Sequence, residues 1–305
     1  MSDFHYNCSV RVLTYMPKLH IHVWGGLGSQ LNAWALYIDL KERLPHRRIQ
    51  LVLHNGGVTK REPELYFIDE LPEIKLIDDY RDSSLLSKDN LKFNYQTRFK
   101  TFLARIVKVV LKKSGIIATC NNDHDFKAIK PWVWQIRGHY SNKAISDMTL
   151  SKLTKEMNQK IDFSPHKYNT GVGLHFRLGD LVDLQSKSPI SINHIFAGID
   201  KANSTKSLRH IYVASDSIAL ALQLLSKLKD TGFNLEALES STWEVIYIMS
   251  TTKVFVGSSS KVSEWIALLR VSSDKADSTY LPLNMKSQMD SIGARLGEIN
   301  MIGYF

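Results

Sequence analysis

Residues 19–44 of this chain read LHIHVW, GGLGSQ and LNAWALYIDLKERL in succession. The first part, Leu19–Trp24, alternates like a β-strand. The glycine-rich second part interrupts that pattern. Apolar residues then recur at helical spacing from Leu31 to Leu44, and Pro45 stops the helix. A strand, a glycine turn and a helix in this order predict a parallel α/β domain.

The same kind of pattern recurs along the chain. A second strand is predicted at Ile49–His54, where Asn55 and two glycines follow it. After Tyr168 the pattern predicts strands at 171–176, 211–214 and 254–256, and helices at 218–229 and 262–269. We therefore expect an α/β, GT-B-like fold in which two facing Rossmann-like domains, residues 1–160 and residues 161–305, enclose a ligand cleft.

The composition is that of a folded protein with an anionic partner. The 305 residues are 44% hydrophobic and 23% charged, which excludes a disordered or fibrous chain. The net charge of +9 favours a nucleotide, a nucleic acid or an acidic lipid surface as partner. The positive charge is spread along the sequence and no recognition module is apparent, so we expect no nucleic-acid partner.

Cysteine content and hydropathy indicate the cellular compartment. Cys8 and Cys120 are too few for a disulfide framework, and they lack the paired spacing of a structural zinc site. The first residues lack the apolar stretch of a secretory signal, and no window approaches the roughly 18 apolar residues of a transmembrane helix. We therefore expect a cytoplasmic protein that is soluble or lies peripherally on a membrane.

Three polar segments follow predicted strands in the second half of the chain. They are 175–180 (HFRLGD), 215–216 (SD) and 257–260 (GSSS). The carboxyl ends of parallel strands form the ligand-binding edge of such a sheet, so the segments should converge. Serines at a helix start can hold phosphate oxygens, and Arg177 supplies a forked positive charge that suits a pyrophosphate.

Each segment also has a purely structural interpretation. Ser258–Ser260 can be an ordinary helix N-cap, and Asp216 can cap the helix that follows it. Arg177 can form an ion pair with Asp180 across a turn. The occurrence of all three segments at strand ends favours a nucleotide site over these separate explanations.

Four motifs resemble those of bacterial α-1,2-fucosyltransferases and their relatives. They lie at Gly25–Leu31, Leu174–Asp180, Tyr212–Asp216 and Val256–Ser260. Enzymes of this family are inverting GT-B glycosyltransferases that use GDP-fucose without a metal. The resemblance implies a GDP-linked sugar donor, no cofactor, and an acceptor that is an oligosaccharide or a lipid-linked glycan of the bacterial surface.

The resemblance also implies a role for each matching residue. Arg177 would clamp the pyrophosphate, while His175 and Asp216 would hold the guanine or the ribose. The residues expected to line the phosphates or to face the donor sugar are Ser258, Ser259, Ser260, Gly26 and Gly28.

Two positions depart from the family pattern. Leu178 stands where a second arginine is usual, which would remove a donor to the nucleotide sugar, and Ser29 stands where asparagine is usual. These changes leave open a related sugar or another nucleotide as donor. They also leave an alternative function, a nucleotide-binding or glycan-binding protein without turnover, for which Leu178 is the best argument.

The reaction needs a group that takes the proton of the acceptor hydroxyl. Asp183 and Asp180 are the candidate bases. The segment Asp123–Asp125 has the Asp-x-Asp spacing of metal-dependent sugar transferases. Its polar neighbours favour a structural turn instead, so we assign no metal ligands.

Residues 98–113 predict a basic amphipathic helix. Its apolar side can face the core while its lysines reach solvent. Alternatively, it can dock on anionic lipid at the inner face of the cytoplasmic membrane. Residues 131–140 concentrate aromatic side chains, which suit either a sugar platform or the core.

Overall fold

The computed structural model describes residues 17–55, 62–78, 106–107, 109–162, 167–178, 192–204, 208–292 and 299–302. The chain divides into two compact units whose main boundary falls between Ser146 and Asp147, and the short segment Phe67–Asp69 belongs to the second unit. The boundary precedes residue 160 because the helix Asp147–Lys160 packs against helices of the second unit.

The first unit is built on a parallel sheet. Its described strands are β1 (Leu19–Trp24), β2 (Ile49–His54), β3 (Glu73–Ile77), β4 (Ile117–Thr119) and β5 (Gln135–Arg137), in the order β3-β2-β1-β5-β4. All neighbouring strands run parallel. β2 is buried along its whole length, as is usual where both faces of a parallel sheet are covered. The predictions for β1 and β2 are confirmed.

Helix α1 (Leu27–Arg43) starts inside the glycine turn rather than at Leu31. Gly26 is its N-cap residue, and Gly25 has a φ of +104°, a conformation that favours glycine. The Glu64 carboxylate accepts a hydrogen bond from the Leu27 amide at 3.0 Å. A distant carboxylate therefore satisfies the start of this helix, which explains why local spacing misplaced it.

Of the helix expected at 98–113, the structure describes 106–107 and 109–113, and all of these residues are helical. Val107 and Val110 belong to the apolar side of this helix, which the core-facing interpretation would bury, but they are 49% and 58% exposed. The core-facing interpretation is therefore wrong for these two side chains.

The second unit is built on another parallel sheet. Its described strands are β6 (Val172–His175), β7 (His210–Ala214), β8 (Asn234–Ala237), β9 (Val254–Gly257), β10 (Thr279–Pro282) and β11 (Asn300–Ile302), in the order β11-β10-β9-β6-β7-β8. The three central strands β9, β6 and β7 are those predicted from the sequence. Their apolar side chains form one core with the flanking helices.

Of the helices in the second unit, those near 218–229 and 262–269 were expected from the sequence, and the others were not. Besides α1 and the helical residues at 106–107 and 109–113, the described α-helices are α2 (Asp123–Ala128), α3 (Asp147–Lys160), α4 (Ile192–Ser204), α5 (Ile218–Leu224), α6 (Lys227–Asp230), α7 (Thr242–Thr251), α8 (Lys261–Ser272) and α9 (Lys286–Ile292). The single helix expected at 218–229 is two helices, α5 and α6, with a break at residues 225–226. Within the described ranges, no helix has the length and hydropathy needed to span a bilayer.

A buried arginine ties α8 to the loops around it. The Arg270 side chain is 0% exposed. Its guanidinium donates to the Thr252 carbonyl at 2.6 Å, to Thr279 Oγ1 at 2.8 Å and to Ser278 Oγ at 2.9 Å. Burial lowers the pKa of Arg270 to about 9, although Asp277 favours its charged form. The second unit therefore contains a buried cation held largely by neutral acceptors.

Candidate functional site

The candidate site lies at the carboxyl edge of the second sheet. β6 lies between β7 and β9, and all three run parallel. His175, at the end of β6, is paired with Ala214 of β7 and with Gly257 of β9. The structure therefore brings together the three segments that follow these strands.

Two hydrogen bonds join the segment after β6 to its neighbours. The Arg177 amide donates to Ser258 Oγ at 3.1 Å, and the Leu178 amide donates to Asp216 Oδ1 at 2.8 Å. Asp216 therefore holds a neighbouring backbone, and Ser217 is the N-cap residue of α5. The N-cap position of α5 is thus occupied by Ser217 rather than by Asp216.

Three serine hydroxyls at the start of α8 lie close to the Nδ1 atom of the His175 ring. His175 Nδ1 lies 2.8 Å from Ser263 Oγ, 3.3 Å from Ser260 Oγ and 3.5 Å from Ser258 Oγ. Ser260 is the N-cap residue of α8 and accepts a hydrogen bond from the Ser263 amide at 3.1 Å. The N-cap interpretation is confirmed for Ser260, whereas Ser259 is exposed.

The imidazole of His175 is neutral at physiological pH. Burial lowers its pKa to about 4. Asp216 opposes this shift and Arg177 reinforces it, because the first favours and the second disfavours a positive ring. His175 therefore organises the serines through hydrogen bonds and adds no positive charge to the site.

A second cation, Lys261, lies directly at the start of α8. It follows the N-cap residue, where the positive end of the helix dipole disfavours a cation. Burial lowers the pKa of Lys261, and Glu264 opposes that shift. A cation placed against the dipole and partly desolvated makes this helix start attractive to an anion. Sequence analysis missed Lys261, although its position after the serine run was the available signal.

Glu264, in the first turn of α8, is a further residue that the sequence analysis did not identify. The side chain is 0% exposed, its Oε1 atom has no hydrogen-bond partner, and its Oε2 atom accepts from Gln288 Nε2. Burial raises the pKa of Glu264 to about 8, although Lys261 favours its charged form. Glu264 is therefore mostly a neutral carboxylic acid at pH 7. In the sequence it looks like an ordinary acidic residue near a helix start.

We expect the Glu264→Gln variant to be more stable than the wild type at pH 8, with a smaller difference near pH 5. The unfolded carboxyl ionises around pH 4.5, whereas the folded one keeps its proton to about pH 8. Between these values the folded state binds more protons, so the wild-type free energy of unfolding falls as the pH rises. Glutamine does not titrate, and it retains an acceptor for Gln288. Melting temperatures at several pH values measure the effect.

The matched control is Glu239→Gln, which changes an exposed carboxylate of the same unit. Its melting temperature should follow the wild-type pH dependence. If Glu264→Gln also runs parallel to the wild type from pH 5 to pH 8, the Glu264 carboxyl is ionised when folded and the argument from burial is wrong.

Leu178 occupies a different environment from the one expected. Its side chain is 2% exposed and belongs to the apolar core of the second unit, together with Phe176. Position 178 therefore directs its side chain into the core. Leu178 therefore contributes no side chain to this edge of the sheet.

Gly26 and Gly28 lie in the first unit, at the start of α1. The Gln30 side chain, which is 2% exposed, braces this turn. Its Nε2 atom donates to the Glu62 carbonyl at 2.9 Å, and its Oε1 atom accepts from the Glu64 amide at 2.8 Å. The glycine turn is thus held by residues 62–64, a link between distant parts of the sequence that spacing does not reveal.

The candidate bases Asp180 and Asp183 lie outside the described residues. The Asp-x-Asp segment forms the start of α2. Asp125 Oδ2 accepts from the Asn121 amide at 2.9 Å, and Asp123 Oδ1 accepts from the Ala144 amide at 3.1 Å. Both carboxylates therefore have structural roles, as expected, although in a short helix rather than a turn. Within the described ranges, no three His, Cys, Asp or Glu residues are grouped as metal ligands.

The carboxyl edge of the first sheet carries a histidine pair that sequence analysis did not single out. His22 Nδ1 lies 2.9 Å from His54 Nε2, and the Trp24 ring stacks on His54 with 4.2 Å between ring centroids. Burial, reinforced by Arg137, lowers the pKa of His22 to about 4. This ring is therefore neutral and structural at physiological pH. A histidine inside β1 and another at the end of the adjacent strand β2 were the signal for it.

No protein-family model and no curated protein matches the chain. Among solved structures it is similar to POFUT1 in complex with GDP, with 13% identity, a TM-score of 0.41, and coverage of 83% of this chain and 95% of that chain. It is also similar to E. coli heptosyltransferase WaaC with ADP, with 11% identity, a TM-score of 0.45, and coverage of 94% and 93%.

A third similar structure is E. coli ADP-heptose LPS heptosyltransferase II, with 8% identity, a TM-score of 0.45, and coverage of 93% of this chain and 90% of that chain. Likenesses this weak add no argument about activity. The two parallel-sheet α/β units confirm the GT-B-like, Rossmann-type fold class expected from the sequence.

Proposed function

We propose that this protein is an inverting glycosyltransferase. It moves fucose or a related sugar from a GDP-linked donor to a hydroxyl of a bacterial surface glycan or of its lipid-linked precursor. One observation carries the proposal: the segments 215–216 and 258–260 are each hydrogen-bonded to the segment 175–178 at the carboxyl edge of the second sheet, where such folds bind their ligands.

The chemistry of this edge suits a diphosphate. Arg177 supplies a permanent charge able to bind two phosphate oxygens at once. The start of α8 contributes the positive end of a 12-residue helix, together with Lys261. Ser259 is exposed at that start and offers a hydroxyl donor. Ser258 and Ser260 act mainly inside the site, where they fix the backbone that would contact the phosphates.

The same groups would assist the reaction. The acceptor oxygen forms a bond to the anomeric carbon while the bond from that carbon to the diphosphate oxygen breaks. Negative charge then accumulates on the departing nucleoside diphosphate, where Arg177 and the helix start stabilise it. The proton of the acceptor hydroxyl goes to a carboxylate, for which Asp183 and Asp180 are our candidates. No metal ligand is part of the proposal.

A nucleotide panel tests this function. We expect GDP to raise the melting temperature more than ADP, UDP or CMP does. A ligand that binds the native state adds about 2.7 kcal/mol of stability at a hundredfold excess over its Kd, so the tightest-binding nucleotide gives the largest shift. GDP-fucose should also be hydrolysed slowly in the absence of an acceptor. A larger shift with ADP, UDP or CMP would refute the donor assignment. Tight GDP binding without any turnover of GDP-sugars would instead identify a binding protein.

A further inference from the structure

The amino-terminal edge of the first sheet carries an exposed aromatic and aliphatic surface. Trp132 and Trp134, just before β5, are 51% and 47% exposed. Val109 and Val110, in the helical residues before β4, are 52% and 58% exposed. We call these four residues the tryptophan face. Among the described residues they stand out because large apolar side chains are grouped at one edge.

Hydrogen bonds hold the two parts of the tryptophan face side by side. Trp132 Nε1 donates to the Ser114 carbonyl at 3.1 Å, and the Ser114 amide donates to the Val110 carbonyl at 2.9 Å. The Trp134 amide donates to the Ile116 carbonyl at 2.9 Å. The tryptophans are thus anchored to the segment that carries the valines, and they form one fixed surface.

Basic side chains flank this surface. Lys112 and Lys113 lie on the same helical segment as the valines, Lys130 lies two residues before Trp132, and all three are exposed. Arg48, also exposed, precedes β2 at the same edge of the sheet. Glu73, at the start of β3 on this edge, is paired with Lys18 at 2.6 Å. Exposed basic side chains therefore border the tryptophan face.

We propose that the tryptophan face docks this protein on an anionic membrane surface. Indole rings partition to the boundary between lipid headgroups and acyl chains, and valines add apolar area that can be buried there. The flanking lysines are complementary to the negative surface potential of anionic lipids. The proposal rests on the first unit alone and is independent of the residues assigned to the donor site.

Vesicle flotation of the full chain tests this proposal. We expect the wild type to bind phosphatidylcholine vesicles that contain one third phosphatidylglycerol, to bind pure phosphatidylcholine weakly, and to detach at high salt. A variant with Lys112, Lys113 and Lys130 changed to glutamine should partition less, by about fivefold for each cation removed. A Trp132→Ser, Trp134→Ser double variant should lose binding even at low salt.

The matched controls are Trp24→Ser, which removes a half-exposed tryptophan from the opposite edge of the same sheet, and a Lys227→Gln, Lys229→Gln double variant in the second unit. Both should bind vesicles like the wild type. Should the tryptophan double variant fail to fold, quenching of wild-type tryptophan fluorescence by brominated anionic lipids is the alternative measurement. We expect quenching that the lysine variant loses.

Three results would overturn the proposal. The first is absence of wild-type binding to anionic vesicles at low salt. The second is binding that the tryptophan and lysine variants retain in full. The third combines two observations: the wild type binds no vesicles, and analytical ultracentrifugation shows that the wild type self-associates while the tryptophan variant does not. That result would identify the tryptophan face as a contact between copies of this chain.

Discussion

The Arg177→Ala variant should lose most of the melting-temperature gain that GDP gives the wild type. Arg177 carries a permanent charge that acts on the His175 ring, and its backbone amide is fixed to Ser258 at 3.1 Å. A hydrogen bond to a charged group contributes about 1.5–3 kcal/mol, so Kd for GDP should rise about tenfold to a hundredfold. Thermal shift and calorimetric titration with GDP measure both effects.

The matched control for Arg177→Ala is Arg209→Ala. Arg209 is exposed just before the amino end of β7, on the opposite edge of the same sheet. It should leave the GDP response unchanged. Arg177→Lys should recover part of the binding, because it restores the charge without the two-pronged geometry. If Arg177→Ala binds GDP like the wild type, then the diphosphate does not lie beside this residue and the proposed donor site is misplaced.

The Arg270→Met variant should be strongly destabilised. Methionine retains much of the apolar stem, but it leaves the carbonyl of Thr252 and the hydroxyls of Ser278 and Thr279 without their buried donor. Each unsatisfied buried polar group costs about 1–3 kcal/mol, so we expect a loss of roughly 3–5 kcal/mol in the free energy of unfolding of the second unit. Urea unfolding followed by tryptophan fluorescence measures it, since Trp243 and Trp265 are buried in that unit.

Arg209→Met is again the control, because it replaces an exposed arginine of the same unit, and it should change the free energy of unfolding little. Arg270→Lys should fall between the wild type and Arg270→Met, since an ammonium group reaches fewer of the acceptors. If the Arg270→Met variant is as stable as the wild type, water replaces the guanidinium at the Thr252 carbonyl and at the two hydroxyls.

The strands were the most predictable part of the fold. Leu19–Trp24 and Ile49–His54 have the bounds expected from the sequence, and the expected strands at 211–214 and 254–256 differ from β7 and β9 by one residue at one end. These strands lie in the interior of parallel sheets, and the recurring apolar positions of each strand, followed by a glycine or polar residue, are a local signal that the sequence shows directly.

The middle of the chain was less predictable. β4 and β5 have three residues each, which is too short for a periodic signal. β5 also lies between β1 and β4 in the sheet, a neighbour relation set by pairing between residues more than 100 positions apart. Helix starts shifted for a similar reason: Glu64 satisfies the start of α1 from a distance along the chain that no local pattern encodes.

The sequence by itself determined the strands that form the centre of each sheet and the three polar segments that follow strands in the second half. Local periodicity, glycines and serines suffice for this, because they act on neighbouring residues. Only the tertiary structure decided what each side chain does at that edge. It directed Leu178 into the core, assigned Asp216 and Ser258 to holding the backbone, and buried Glu264 as a neutral acid. Desolvation and hydrogen-bond satisfaction depend on residues brought together from distant parts of the chain, so they appear only when the fold is complete.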